Sequence, residues 1–96
     1  MDIVVAYDIA ETEGPGALRL RQIADTCEKY GERVQQSVFE CRLSPERYTL
    51  LLTELEEAIH PEQDSVLIYR FAGQIQEAKT TLGRKQQHEL GQPWML

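Results

Sequence analysis

The chain has 96 residues, below the ~150 typical of a domain, so one domain spanning residues 1–96 is expected. Hydrophobic residues make up 42% and charged residues 27%, a globular balance that excludes disordered and collagen-like classes. Ten basic against sixteen acidic residues give a net charge of −6, the reverse of the basic balance usual in a free-standing nucleic-acid binder.

Residues 3–9, IVVAYDI, predict a first strand, rich in β-branched residues and followed by the turn residues Gly14, Pro15 and Gly16. Ile3, Val5, Tyr7 and Ile9 fall on one face, and Val4, Ala6 and Asp8 on the other. Both faces carry apolar side chains, so both require cover. The apolar run is far shorter than the ~18 residues of a membrane span, and acidic Asp2 precedes it where a secretory signal would be basic. A cytoplasmic protein with no membrane partner is therefore expected.

Residues 10–16 form a loop, and residues 17–30 predict a helix with Leu20, Ile23, Ala24 and Cys27 at helical spacing. Gly31 fits the position just past its end. Arg19 and Arg21 flank the apolar stripe and are expected to project away from the core. Residues 33–43 are extended, and the pattern does not separate one bulged strand from a tight hairpin. Ser44-Pro45-Glu46 opens a second helix: serine caps, proline takes the first helical position, and glutamate favours the positive end. Tyr48, Leu51, Leu52, Leu55 and Ile59 form its apolar stripe, and Pro61 ends it. Residues 65–71, SVLIYRF, predict another strand that is apolar on both faces, and residues 77–83 a weak one. The chain then runs polar to Trp94-Met95-Leu96, an apolar terminus expected to dock.

This order, with a strand pair over 33–43, gives βαββαβ: a ferredoxin-like α+β sandwich, an antiparallel sheet with two helices on one face. Residues 1–71 form the core of that unit, and 72–96 supply the weak strand, a linker and the terminal segment. Two helices cover one face only. A second copy of the chain is the economical cover for the other, which predicts a two-fold homodimer.

Few residues offer chemistry. Cys27 and Cys41 are too few for a disulfide framework and read as small buried hydrophobes. His60 and His88 lack the neighbours of a zinc site. Gly14-Pro15-Gly16 has neither the lysine of a P-loop nor dinucleotide-binding spacing. Asp8, closing a hydrophobic strand on the uncovered face, is a hard oxygen ligand suited to magnesium or manganese. A two-fold axis would bring two such carboxylates together. The simpler role for a lone aspartate there is to cap the following turn. Arg19, Arg21 and Arg33 have the planar donor fork that suits phosphate, although helix arginines are commonly just solvated. Ser37 and Phe39 lie two apart, as on one strand face, and Phe39 is more simply a core residue than a base-stacking platform. No histidine stands at a telling spacing from Ser37, which argues against a serine nucleophile. Six acids and one base occupy residues 46–64, whereas four bases and three acids occupy 17–33, so a basic edge can lie beside an acidic helix.

Tyr7-Asp8-Ile9, then Arg33-Val34-Gln35-Gln36-Ser37-Val38-Phe39-Glu40, then Asp64-Ser65-Val66, in this order and spacing, resemble the CRISPR-associated protein two family, the small endoribonucleases of CRISPR adaptation. The similarity covers residues 1–71, and Gly83 to Leu96 resembles the family's crossing terminal strand. The resemblance implies a ferredoxin-like homodimer in which Asp8 of both chains holds one magnesium ion, with manganese as an alternative. It implies metal-dependent cleavage of single-stranded RNA or double-stranded DNA, and a bridging role between copies of the CRISPR-associated integrase during spacer acquisition. Ser37 would join Asp8 at the catalytic site, and Arg19, Arg21, Arg33 and Phe39 would contact nucleic acid. Tyr7, Trp94, Met95 and Leu96 would lie at the dimer interface. One departure is the loop Ala10–Gly16, longer and more acidic than the short basic turn of many members; its carboxylates could bind metal or repel phosphate. Two alternatives stand beside the nuclease: a non-catalytic scaffold of the integration complex, and a related toxin-like ribonuclease. A small-molecule regulatory domain is the third use of such a fold, and the Arg33–Glu40 block argues against it.

Overall fold

A computed structural model describes residues 1–10 and 13–84. Its elements are β1 (Asp2–Asp8), α1 (Pro15–Tyr30), β2 (Gly31–Gln35), β3 (Val38–Arg42), α2 (Pro45–Ala58), β4 (Ser65–Phe71) and the single turn α3 (Ile75–Ala78). The four strands form one antiparallel sheet in the order β2-β3-β1-β4. This is the expected ferredoxin-like arrangement. Residues 33–43 resolve as a hairpin, and the β2–β3 ladder carries an irregularity between Arg33 and Gln35.

Alternation along β1 divides the molecule. Ile3, Val5 and Tyr7 pack with Phe39 and Cys41 of β3 against Ile23 and Cys27 of α1 and Leu51 and Leu55 of α2. Ser44 caps α2 as its sequence predicts, its hydroxyl accepting from the Arg47 N–H at 3.2 Å. α1 begins two residues earlier than periodicity suggested, because Gly14 turns the chain at φ 62° and Pro15 has a preset helical φ. Gly31 stands just past the end of α1 as expected, its N–H donating to the Cys27 carbonyl; it is extended, at φ −162°, and already belongs to β2. Glycine is required there by space, since a Cβ would collide with the Cys41 sulfur and the Glu40 carbonyl oxygen. Cys27 and Cys41 are buried free thiols, both pushed up to about 12 by burial.

The opposite sheet face is partly covered by the chain itself. Asp2, on that face, is buried and accepts from the Ile75 N–H at 2.9 Å and from Arg42 at 2.9 and 3.2 Å. Glu40, also buried there, pairs with Lys79 at 3.1 Å. Residues 72–79 therefore strap one end of the open face, with Ile75 buried beneath the strap. The weak strand expected over 77–83 is absent among the described residues; α3 and irregular chain stand in its place. The described residues leave the other end of the face open, with Leu67 52% and Tyr69 57% exposed. No described helix is long and apolar enough to cross a membrane.

Candidate functional site

At the C-terminal end of β1, α1 and the β2–β3 turn enclose a cleft of about 430 Å³. Asp8, Arg21, Arg33, Gln36 and Ser37 supply its polar lining, and Tyr7 its aromatic wall. The register explains the assembly. Ala6 stands opposite Val38, and the Tyr7 N–H donates to the Ser37 carbonyl at 3.1 Å, so the β2–β3 turn is drawn level with Asp8.

The Asp8 side chain is exposed. Among the described residues it has no hydrogen-bond or ion-pair partner. It caps no turn among the described residues. The nearby Ala10 N–H is taken instead by Asp64, at 3.2 Å. Asp64, immediately before β4, also accepts from the His60 N–H at 2.8 Å and from Arg19 at 2.8 and 3.4 Å. Its side chain is fully buried. The Arg19 guanidinium, with the two backbone donors beside it, outweighs burial and lowers the carboxyl to about 2. Asp64 thus ties the loop after β1, the first turns of α1 and the entry to β4 into one joint. Sequence inspection missed this role, because the donors lie 4, 45 and 54 residues away.

Arg19 is accordingly a structural partner of Asp64 rather than a projecting side chain. Arg21 is exposed at the cleft. Arg33 lies with its guanidinium carbon 5.1 Å from the centre of the Phe39 ring and 3.5 Å, through Nη2, from Glu28 Oε1. Burial raises the Tyr7 phenol above its ordinary range, and the neighbouring Arg33 charge pulls the other way.

Two expectations, for Phe39 and Ser37, are revised by these positions, and Tyr7 is located. Phe39 is wholly buried, because its pairing with Val5 directs it to the helix-covered face; it supports Arg33 from below and offers bases no surface. Tyr7, expected at a dimer interface, is buried within its own chain and stacks on Phe39 at 6.2 Å. Ser37 lies in the turn before β3 rather than on a strand face with Phe39, although it does reach the cleft. Trp94, Met95 and Leu96, with Glu11 and His88, lie outside the described residues.

Residues 1–79 match the family model described as CRISPR associated protein Cas2. The chain belongs to this family. A Rhodospirillum rubrum relative named CRISPR-associated endoribonuclease Cas2 3 is 39% identical over 94 residues, covering 98% of this chain and 99% of the relative. A Halalkalibacterium halodurans relative named CRISPR-associated endonuclease Cas2 is 37% identical over 93 residues, 97% of each chain. The crystal structure of Streptococcus pyogenes Cas2 superposes with a TM-score of 0.78 at 36% identity, covering 86% of this chain and all of that one.

The described residues of this Cas2 family member form no complete metal site within one chain. Among the described residues no three His, Cys, Asp or Glu side chains are grouped to hold an ion. An exposed, uncommitted carboxylate nevertheless fits magnesium, which takes oxygen ligands, keeps several waters and is often held by one or two carboxylates.

Proposed function

We propose that this protein is a CRISPR adaptation nuclease, a homodimer that cleaves phosphodiesters at a divalent ion held between the Asp8 carboxylates of two chains. The observation that carries this reading is the contrast at the end of β1: local donors are satisfied by Asp64, and Asp8 is left exposed at the mouth of a cleft that holds Arg21, Arg33 and Ser37. Leu67 and Tyr69, exposed on the same sheet face, give the second copy an apolar surface to cover. Magnesium or manganese at the paired carboxylates would supply an acidified water and positive charge at the scissile phosphate. Arg21 and Arg33 hold backbone phosphates beside Asp8. Ser37, half-buried in its turn, orients substrate or water through its hydroxyl. RNA and double-stranded DNA both present the required backbone, and the chain acts in the cytoplasm.

The test pairs wild type with Asp8→Asn on RNA and duplex DNA, with and without magnesium or manganese, and with oligomeric state measured by light scattering. Metal-dependent cleavage that disappears in a mutant still dimeric supports the reading. Cleavage unchanged in Asp8→Asn overturns it.

A second reading is favoured by the net charge of −6 and the acids of α2. Here the dimer serves as a non-cleaving bridge between copies of the CRISPR-associated integrase. It predicts spacer acquisition intact in Asp8→Asn and weakened when residues 93–96 are removed.

A further inference from the structure

The cleft holds two exposed arginines, and one of them is already engaged. Arg33 is fixed from below by the Phe39 ring at 5.1 Å, and its Nη2 lies 3.5 Å from Glu28 on α1. Arg33 is 44% exposed and Glu28 56%, so the pair sits in solvent where an incoming anion can reach it. No hydrogen bond of Glu28 with any other described residue competes for its carboxylate. Phosphate and carboxylate use the same planar donor fork of arginine.

We infer that Glu28, paired with Arg33 beside the cleft, sets the cleft's affinity: its carboxylate occupies Arg33 in the free protein and is displaced by a backbone phosphate of the bound nucleic acid. This rests on the cleft being the nucleic-acid site. The ring beneath Arg33 keeps the guanidinium in place when the counter-ion changes. Binding exchanges one anion for another, and the gain from each phosphate contact is reduced by the ion pair given up. Exposed pairs of this type are weak, so Glu28 tunes affinity without closing the site. Its influence falls as salt screens the pair.

The test is fluorescence anisotropy with a labelled single-stranded RNA and a labelled duplex DNA, in chelator, so that metal at Asp8 plays no part. Glu28→Gln should bind about two- to fivefold more tightly than wild type at low salt, as the strength of an exposed pair allows. The gain should shrink at higher salt. Glu56→Gln, an equal charge change on the exposed surface of α2, controls for overall charge and should change binding little. In an Arg33→Gln background, Glu28→Gln should add nothing. Equal tightening by Glu28→Gln and Glu56→Gln, or a full effect of Glu28→Gln without Arg33, overturns the inference while leaving the cleft as the binding site. Binding unchanged by Arg33→Gln itself overturns the placement of the nucleic acid in the cleft. Thermal midpoints of all variants confirm that each remains folded.

Discussion

Asp8 and Asp64 stand at the same end of the sheet and have opposite circumstances. Asp8 closes β1 opposite Ser65, the residue that follows Asp64. Asp64 is buried, accepts from two backbone N–H groups and an arginine, and is held ionised to about pH 2. Asp8 is exposed and accepts nothing from the described residues. A carboxylate with every lone-pair direction engaged contributes to folding and has nothing left for a ligand. A neighbour relieved of that work is available for chemistry. Asp2, on the same face at the other end of β1, resembles Asp64, because Arg42 and the Ile75 N–H consume it.

Four substitutions or titrations can break or sharpen this division. The largest effect is expected from Asp64→Ala. It removes the buried carboxylate that Arg19 donates to and frees the N–H groups of Ala10 and His60, at a cost of about 3–5 kcal/mol in denaturant unfolding, counting about 1–3 kcal/mol for each buried donor left unsatisfied. A loss below 1 kcal/mol would remove the joint from the account. Asp2→Ala comes next, at about 1–3 kcal/mol for the donors left unpaired. Its loss should be local, with hydrogen-exchange protection of the Ile75 N–H collapsing before that of β1.

Acid titration tests the same joint without removing an atom. Asp64 is lowered from the ordinary 3.8 to about 2. Its contribution is therefore complete above pH 3.8 and is lost as pH falls towards 2. The stability gap between wild type and Asp64→Asn should narrow across that window. A gap constant with pH would deny the depressed value. The smallest effect is expected from Asp8→Asn, within about 0.5 kcal/mol of wild type, because no described contact is lost.

Much of the scaffold was legible because it rests on local periodicity. The stripes of α1 and α2, the Ser44 cap and the alternation of β1 each follow from residues within a few positions of one another. The joint and the strap were not legible. Asp64 meets Ala10 across 54 residues, and Asp2 meets the Ile75 N–H across 73. Neither aspartate differs in local sequence from a solvated one. The strap covers part of the apolar open face from the same chain, through the buried Ile75, and nothing in the local sequence marks that contact. The role of Arg19 is hidden for a related reason. Its place beside the stripe of α1 suggests solvent, but the buried partner belongs to the approach to β4. Asp8 is the candidate residue most open to sequence reasoning, since a carboxylate ending a hydrophobic strand is conspicuous. Only the structure shows that its capping duty has passed to Asp64.

The central claim is that Asp8 is reserved for a ligand and Asp64 for the fold. The most direct measurement is the thermal midpoint of wild type and Asp8→Asn, each with and without magnesium. A bound ion stabilises the state that binds it. The midpoint of wild type should rise with magnesium, and that of Asp8→Asn should match metal-free wild type and stay there when magnesium is added. An equal magnesium shift in both proteins, or an Asp8→Asn variant destabilised on the scale of Asp64→Ala, would contradict the division of labour between the two carboxylates.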